Sequence, residues 1–321
     1  KCTALVAISR VELWAPTQAN SIARDVAAAT AGVEPSQVTV HTTLMGGGFG
    51  RRAEMDFVEQ AVAAAMAVPG EPVQVSWARE QDVRHDMYRP AALARLRAAL
   101  DESGRISALD YRLVTQSVVA SYFARTPTPR GGDAEGDGSM ASGASNLVYS
   151  VPNLRISAIP VENGVPVGYW RSTGTSVNGF IVEAFMDELA AAAGADPLEF
   201  RRRHLDPAGP HSAVLERLAA LAEWQPGPGR GLALTESHGS ICGQVVDLDL
   251  SGGRLRVARV TCVLDCRRMV HPDIVRSQVE SASLDGLAAA LYGEITLASG
   301  RVQQGNFDRY RLLRLVDTPE L

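Results

Sequence analysis

Lysine is almost missing from this 321-residue chain: Lys1 is the only one, and arginine supplies the remaining positive charge, a bias that fits a GC-rich bacterial genome. The net charge is −5, and no basic run or basic face with interleaved aromatics occurs, which argues against a nucleic-acid partner. Long apolar runs are missing too. None approaches the roughly 18 residues of a membrane-spanning helix, and no charged start followed by an apolar core resembles a signal peptide. The chain opens on Lys1 rather than methionine, so it is expected to be a piece of a longer protein, and its localisation stays open between cytoplasm and periplasm. Cysteine is scarce and scattered, at Cys2, Cys242, Cys262 and Cys266. In a chain this long these make no disulfide framework, and Cys262 with Cys266 lack a second pair at zinc-ligand or iron–sulfur spacing. Buried thiols are expected, and any electron-transfer cluster must lie on another chain or on a missing part.

What remains is an ordinary globular composition, 46% hydrophobic and 21% charged, enough for two domains. The chain is organised around Thr43 to Glu54, TLMGGGFGRRAE. Gly46, Gly47 and Gly48 free the backbone to take φ > 0 and to approach another body closely, and Phe49 and Gly50 then lead into a helix. Such a loop turns its N–H groups toward a guest, and the helix N-terminus adds partial positive charge, so the expected guest is anionic. The Rossmann fingerprint fails because Arg51 stands where its last glycine belongs, and a P-loop would need Gly-Lys-Ser/Thr. A nicotinamide dehydrogenase is therefore disfavoured. A second anion-compatible wall is expected at Arg171 to Ser176, RSTGTS, before a helix that Ser176 or Asn178 is placed to cap.

Periodicity supplies the frame. Val11 to Trp14 reads as a strand, Asn20 to Ala31 as a helix ended by Gly32, Val38 to Met45 as a strand feeding the glycine loop, and Glu54 to Met66 as a helix stopped by Pro69-Gly70. Val73 to Trp77 is another strand, and Ala92 to Leu100 with Ile106 to Val114 form a hairpin. Thr126 to Ser145 is low in complexity and reads as a mobile surface lid or insertion. Helices follow from Asp196-Pro197 through Arg203 and from Ala213 to Glu223. The segment Gln225 to Gly231 is the clearest linker, and a boundary between Asp206 and Gly231 gives domains of residues 1–210 and 211–321. Beyond it, Gln244 to Leu250 and Leu255 to Cys266 are strands around a Ser251-Gly252-Gly253 turn. Ile274 to Tyr292 is a helix with Val275, Val279, Ala282, Gly286 and Ala289 on one face, and a last hairpin turns at Ser299-Gly300.

Four blocks occur in order: GGGFG after a strand, GYWRSTGTS before a helix, Glu236-Ser237-His238-Gly239-Ser240, and Val270-His271-Pro272 followed by Ser277-Gln278-Val279-Glu280. With VELWAPTQ, VRHDMYRP, LYGEIT and GRVQQGNF they take in nearly the whole chain. Together they resemble the molybdopterin-binding subunit of the molybdenum hydroxylases, the family of xanthine dehydrogenase and aldehyde oxidase, and within it the isoquinoline-oxidising branch. The resemblance implies an α+β fold of two molybdenum-cofactor-binding domains with mixed sheets and flanking helices. It also implies molybdenum held by the dithiolene of a pterin, in the cytosine dinucleotide form, with no protein side chain on the metal. In the cofactor-binding loop of Gly47, Gly48, Phe49 and Gly50, the backbone of the last two would come near the metal. Arg171 and Ser172 would line the other side, Gly239 and Ser240 would meet the phosphate and pterin region, and Gln278 would hydrogen-bond near the metal. The implied reaction is hydroxylation of an N-heteroaromatic compound or an aldehyde with water-derived oxygen, with electrons passing to a small 2Fe–2S subunit.

The chain also departs from the pattern. Arg51, Arg52 and Ala53 replace the Gly-Lys and following glutamate of many relatives, which disfavours purine substrates. Arg267 replaces a glycine, and Ser281-Ala282 replaces a Gly-Gly pair, where larger side chains would oppose a cofactor. The alternative function is a non-catalytic cofactor- or ligand-binding subunit of the same fold. The family's base glutamate lies in a G-x-G-E segment expected beyond Leu321, so no catalytic residue is assigned and this chain alone is expected to be inactive. Glu54, Glu59, Glu183, Glu188 and Glu280 are expected in solvated or capping roles on helices.

Overall fold

Alternating side chains make β1 (Cys2–Ala7) and β2 (Arg10–Ala15) an antiparallel pair that turns Cys2, Ala4, Val11, Leu13 and Ala15 inward. Helix α1 (Asn20–Ala31) crosses to β3 (Val38–Thr42), which pairs parallel with β2. Gly32 ends α1 in the left-handed conformation at φ 68°, where its N–H reaches the Ala28 carbonyl. The strand expected to reach Met45 stops at Thr42, and the glycine loop begins there. After a 3₁₀ turn at Arg51–Ala53 come α2 (Asp56–Met66) and β4 (Val73–Val75), which completes a sheet of order β3-β2-β1-β4. Ala23, Val26 and Ala27 of α1 and Phe57, Val58, Ala61 and Val62 of α2 pack with the inward strand residues as one core. Alanines at those positions let the helices lie close to the strands.

Helix α3 (Arg79–Arg84) is short. A three-stranded sheet of order β5-β6-β7 follows from β5 (Ala92–Leu100), β6 (Ile106–Thr115) and β7 (Asn153–Pro160), with helix α4 (Val118–Arg125) after β6. Then come α5 (Thr173–Ala192), α6 (Pro197–Arg203), α7 (Pro210–Leu221) and a meander of β8 (Arg230–Ser237), β9 (Ser240–Asp249) and β10 (Arg256–Asp265). Leu232, Leu234, Ile241 and Val245 of the meander share a core with Val214, Leu215 and Leu218 of α7. Helix α8 (Pro272–Leu291) and the hairpin β11 (Leu297–Ala298) with β12 (Arg301–Val302) end the fold. Mixed sheets with flanking helices give the expected α+β class.

The structure, a computed structural model, describes residues 1–126, 136–251 and 253–321. Of the lid expected at Thr126 to Ser145, residues 127–135 lie outside the described residues, as does Gly252 of the expected turn; the described part does not fit a mobile surface lid, since it forms a 3₁₀ turn at Gly138–Ala141 with Asp137, Met140 and Ala144 buried. Among the described residues no helix is long and apolar enough to cross a membrane. By contacts the chain forms two units, Lys1–Leu93 with Val114–Met140 and Ala158–Thr173, and Ala94–Leu113 with Ala141–Ser157 and Gly174–Leu321. Each is described by itself.

The expected cap of α5 is corrected. Helix α5 starts at Thr173, so Ser176 and Asn178 lie inside it and do not cap it; Asn178 is buried, accepting from the Tyr111 hydroxyl at 2.6 Å and donating to the Ser142 carbonyl at 2.8 Å. On α8 only Ser283 is buried; of the face expected there, Val275 and Val279 are half-buried and Ala282, Gly286 and Ala289 are exposed.

Candidate functional site

The two walls expected from the sequence meet within the first unit. The glycine loop leaves β3 and runs to Gly50, and the N–H groups of Gly46, Gly47, Gly48 and Phe49 have no hydrogen-bond partner among the described residues. The Gly50 N–H donates to the Gln18 side chain at 3.0 Å. Arg171 N–H donates to the Phe49 carbonyl at 2.9 Å, and its guanidinium lies 5.5 Å from the Phe49 ring. The backbone on both sides is held in the left-handed region at non-glycine residues: Phe49 at φ 51°, Ser172 at 69° and Thr173 at 37°. Strain of this kind persists only where the surroundings over-determine it, and it collects at ligand sites.

The surroundings are specific. Arg89 donates to the carbonyls of Arg171 at 3.1 Å and Thr173 at 3.2 Å, and its guanidinium lies 4.6 Å over the Trp170 ring. Partial burial holds Arg89 below the ordinary arginine value. Behind the loop, Glu54 is 2% exposed and pairs with Arg125 through both oxygens, at 2.6 and 3.1 Å. Arg125 also donates to Ser121, and the Tyr122 hydroxyl donates to the Ala53 carbonyl at 3.0 Å. Gly168 fits beside this pair because a Cβ there would lie 2.5 Å from the Glu54 carboxylate. Glu54 is thus a buried partner of Arg125, and the solvated or capping role expected for it is wrong.

In front of the loop lies a cleft of about 380 Å³, lined by Gly47, Gly48, Phe49, Arg51, Arg52 and Trp77 among others. Arg51 is engaged with Asp56, at 3.0 and 2.8 Å, and with Asp86 at 2.6 Å. Burial raises the Asp86 carboxyl against the pull of Arg51. Arg52 lies 5.3 Å from the Phe57 ring and has no carboxylate partner among the described residues. Phe49 is 47% and Trp170 41% exposed, so both offer aromatic surface to a guest. Open N–H groups, a free guanidinium and exposed rings suit an anionic, partly flat ligand. Sequence reasoning missed Arg89, Arg125 and Glu54. The VRHDMYRP block, which contains Arg89, was the available signal for the first.

Gly239, Ser240 and Gln278 belong to the second unit. Ser237 pairs with Ser240 across a tight turn whose central residues, His238 at φ 51° and Gly239 at φ 77°, are both left-handed. Open space surrounds the position a Gly239 Cβ would take. Arg267, where the family resemblance implies a glycine, sits at φ 59° and donates from Nε to the Gly239 carbonyl at 3.2 Å. The positive φ explains why glycine is favoured there. Gln278 lies on the exposed surface of α8, whose first turn is capped by the His271 ring accepting from Ile274 N–H. No group of three or more His, Cys, Asp or Glu residues among the described residues is arranged to hold a metal ion.

Two sequence-family models, each described as a molybdopterin cofactor-binding domain, match residues 1–205 and 186–319. The chain is 32% identical over 97% of its length to the isoquinoline 1-oxidoreductase subunit beta of Brevundimonas diminuta. It is 29% identical, again over 97%, to a protein of Gluconacetobacter polyoxogenes named membrane-bound aldehyde dehydrogenase (pyrroloquinoline-quinone). It spans 40% and 44% of the lengths of these two proteins. Among solved structures, quinoline 2-oxidoreductase from Pseudomonas putida 86 superposes with a TM-score of 0.82 at 14% identity, over 99% of this chain and 66% of that one.

Proposed function

The chain belongs to the molybdopterin cofactor-binding domain family, and on that premise we propose that it is the cofactor-binding part of the large subunit of a molybdenum hydroxylase acting on N-heteroaromatic compounds or aldehydes. One observation carries the reading. The glycine and arginine loops are tied to each other at Phe49 and Arg171 while a row of loop N–H groups stays open for an anion. The residues present fit such a group, since its phosphates and dithiolene are anionic and Gly47, Gly48 and Phe49 present open donors on a loop without side-chain carboxylates, while the Gly50 N–H is held by Gln18. Arg171 and Ser172 line the same loop pair, and Gly239, Ser240 and Gln278, which lie in the second unit, are separate cofactor-binding candidates. Arg267 does not oppose this reading by bulk at its own backbone, because it adopts the glycine-like conformation and its guanidinium engages the Gly239 carbonyl.

A bound molybdenum pterin would supply the redox chemistry. The chain's own residues bind and orient it, and Phe49 and Trp170 offer apolar surface to a flat substrate. The cytosine dinucleotide form, a small 2Fe–2S subunit as electron acceptor and a domain boundary near residue 210 belong to the same proposal. The named activities of the isoquinoline and aldehyde relatives support the two substrate classes.

The test is metal analysis of the full-length protein followed by a substrate panel. About one molybdenum per chain is expected, with quinoline-like compounds or aldehydes turned over in preference to hypoxanthine. Absence of molybdenum would favour a non-catalytic subunit, and efficient purine oxidation would overturn the substrate assignment. Gln278→Ala is expected to keep the metal and lose turnover by about a hundredfold. One hydrogen bond is worth about 1 kcal/mol to binding but more in a transition state. A variant that lost metal and turnover in parallel would contradict that role.

A further inference from the structure

The meander of the second unit carries two thiols that the proposed function does not use. Cys242 of β9 stands opposite Leu264, and Cys262 of β10 stands opposite Gln244, so the two cysteines are diagonal neighbours on one face of an antiparallel pair. Their sulfurs are 3.6 Å apart. Ile241 and Val245 point to the core on the opposite face, while Gln244, on the cysteine face, donates to Ser283 of α8 at 3.0 Å. Both cysteines are free and half-buried rather than sealed in the core.

The two thiols share one hydrogen bond in which either sulfur can be the donor. Whichever sulfur gives up its proton is the thiolate that attacks, and the other keeps its proton until a bond has formed beside it.

We propose that Cys242 and Cys262 form a reversible dithiol site that reacts with small-molecule disulfides. The thiolate of one cysteine attacks one sulfur of the small disulfide, which forms a mixed disulfide and releases one thiolate. The other cysteine then gives its proton to solvent, attacks the first cysteine's Sγ and releases the second thiolate. One small disulfide is reduced to two thiols, and two cysteines are oxidised to one intramolecular bond. Closure brings the sulfurs from 3.6 Å to about 2.05 Å and requires a local shift of the two strands, since a diagonal pair stands wider than a directly opposed one.

The full-length protein, freshly reduced, is incubated with oxidised glutathione under native conditions, quenched with acid, alkylated and mapped by peptide mass spectrometry. The expected product is a cross-link between the Cys242 and Cys262 peptides, lighter by about 2 Da and fully reversed by dithiothreitol. Cys242→Ser should accumulate glutathione on Cys262, and a variant with both Cys2→Ser and Cys266→Ser should cross-link as the wild type does. Three results would each overturn the proposal: both cysteines remaining alkylatable in the wild type, adducts that persist there without cross-linking, or a cross-link that joins either cysteine to Cys266. The wild-type map decides the matter even where a variant fails to fold.

Discussion

Arg201→Leu is expected to destabilise the second unit by about 3–5 kcal/mol at pH 8, and by less at pH 5. Arg201 is fully buried and donates to the Glu183 carboxylate at 3.0 Å, to Asp187 at 2.6 Å and to the Glu183 and Pro197 carbonyls. Glu183 also accepts from the Tyr149 hydroxyl and the Leu234 N–H, both at 2.8 Å. The network therefore joins α5, α6, β8 and the segment before β7. Burial alone would lower Arg201, but Tyr149, Glu183 and Asp187 together hold it above its ordinary value. Burial raises the Glu183 carboxyl from 4.5 even with Arg201, Leu234 and Tyr149 pulling the other way. Leucine removes the counter-charge, so in the variant that carboxyl rises further.

A folded-state value above the unfolded one confers stability that is fully present below the unfolded value and lost as pH rises through the folded value. The deficit of Arg201→Leu relative to wild type should therefore grow from pH 5 to pH 8. Denaturant midpoints of the full-length protein at the two pH values measure it, and equal deficits would sink the account. Adding Glu183→Leu should recover much of the loss, since the uncompensated charge then disappears.

That network also marks where the sequence was legible and where it was not. Features settled within one turn of chain were readable. Helix α1 runs from Asn20 to Ala31 with Gly32 left-handed after it, and Asp196 before Pro197 caps α6 by accepting from Leu198 and Glu199 N–H. Ser299 and Gly300, both at positive φ, turn the last hairpin. Features set by distant partners were not readable. Glu183, expected in a solvated or capping role, is 5% exposed because Arg201 lies one helix further on. Glu54 is buried because Arg125 lies 71 residues away. Strand β1, helices α3 and α4 and strand β7 escaped notice because they are short and their faces are completed by partners remote in sequence. At the glycine loop the residue type was informative but its reason was only partly right. Glycine was expected to admit a guest, and at Gly48 and Gly50 it also admits the chain itself, Gln18 in one case and Tyr169 in the other.

This second reason yields the last expected result: Gly50→Val in the full-length protein should cut molybdenum content about a hundredfold while leaving the fold of the first unit in place. Gly50 sits at φ 92°, and a Cβ there would lie 2.5 Å from the Tyr169 carbonyl oxygen and 2.6 Å from its carbon. A β-branched residue at positive φ is already an outlier. The neighbouring backbone cannot yield cheaply, because the Tyr169 ring packs 5.2 Å from Tyr122 and Arg89 lies over Trp170. Relief requires the glycine loop to leave the arginine loop, which breaks the Arg171 to Phe49 hydrogen bond. Strain of about 3 kcal/mol at such a position corresponds to roughly two powers of ten in occupancy. The core of α1, α2 and the β3-β2-β1-β4 sheet contains neither Gly50 nor Tyr169, so secondary structure and the unfolding midpoint should change little. Gly46→Ala supplies the contrast, because its Cβ would meet no atom within 4 Å and its φ is not positive, and it should load metal as the wild type does. Undiminished molybdenum in Gly50→Val, measured per chain beside an unchanged circular dichroism spectrum, would remove the glycine loop from the cofactor site.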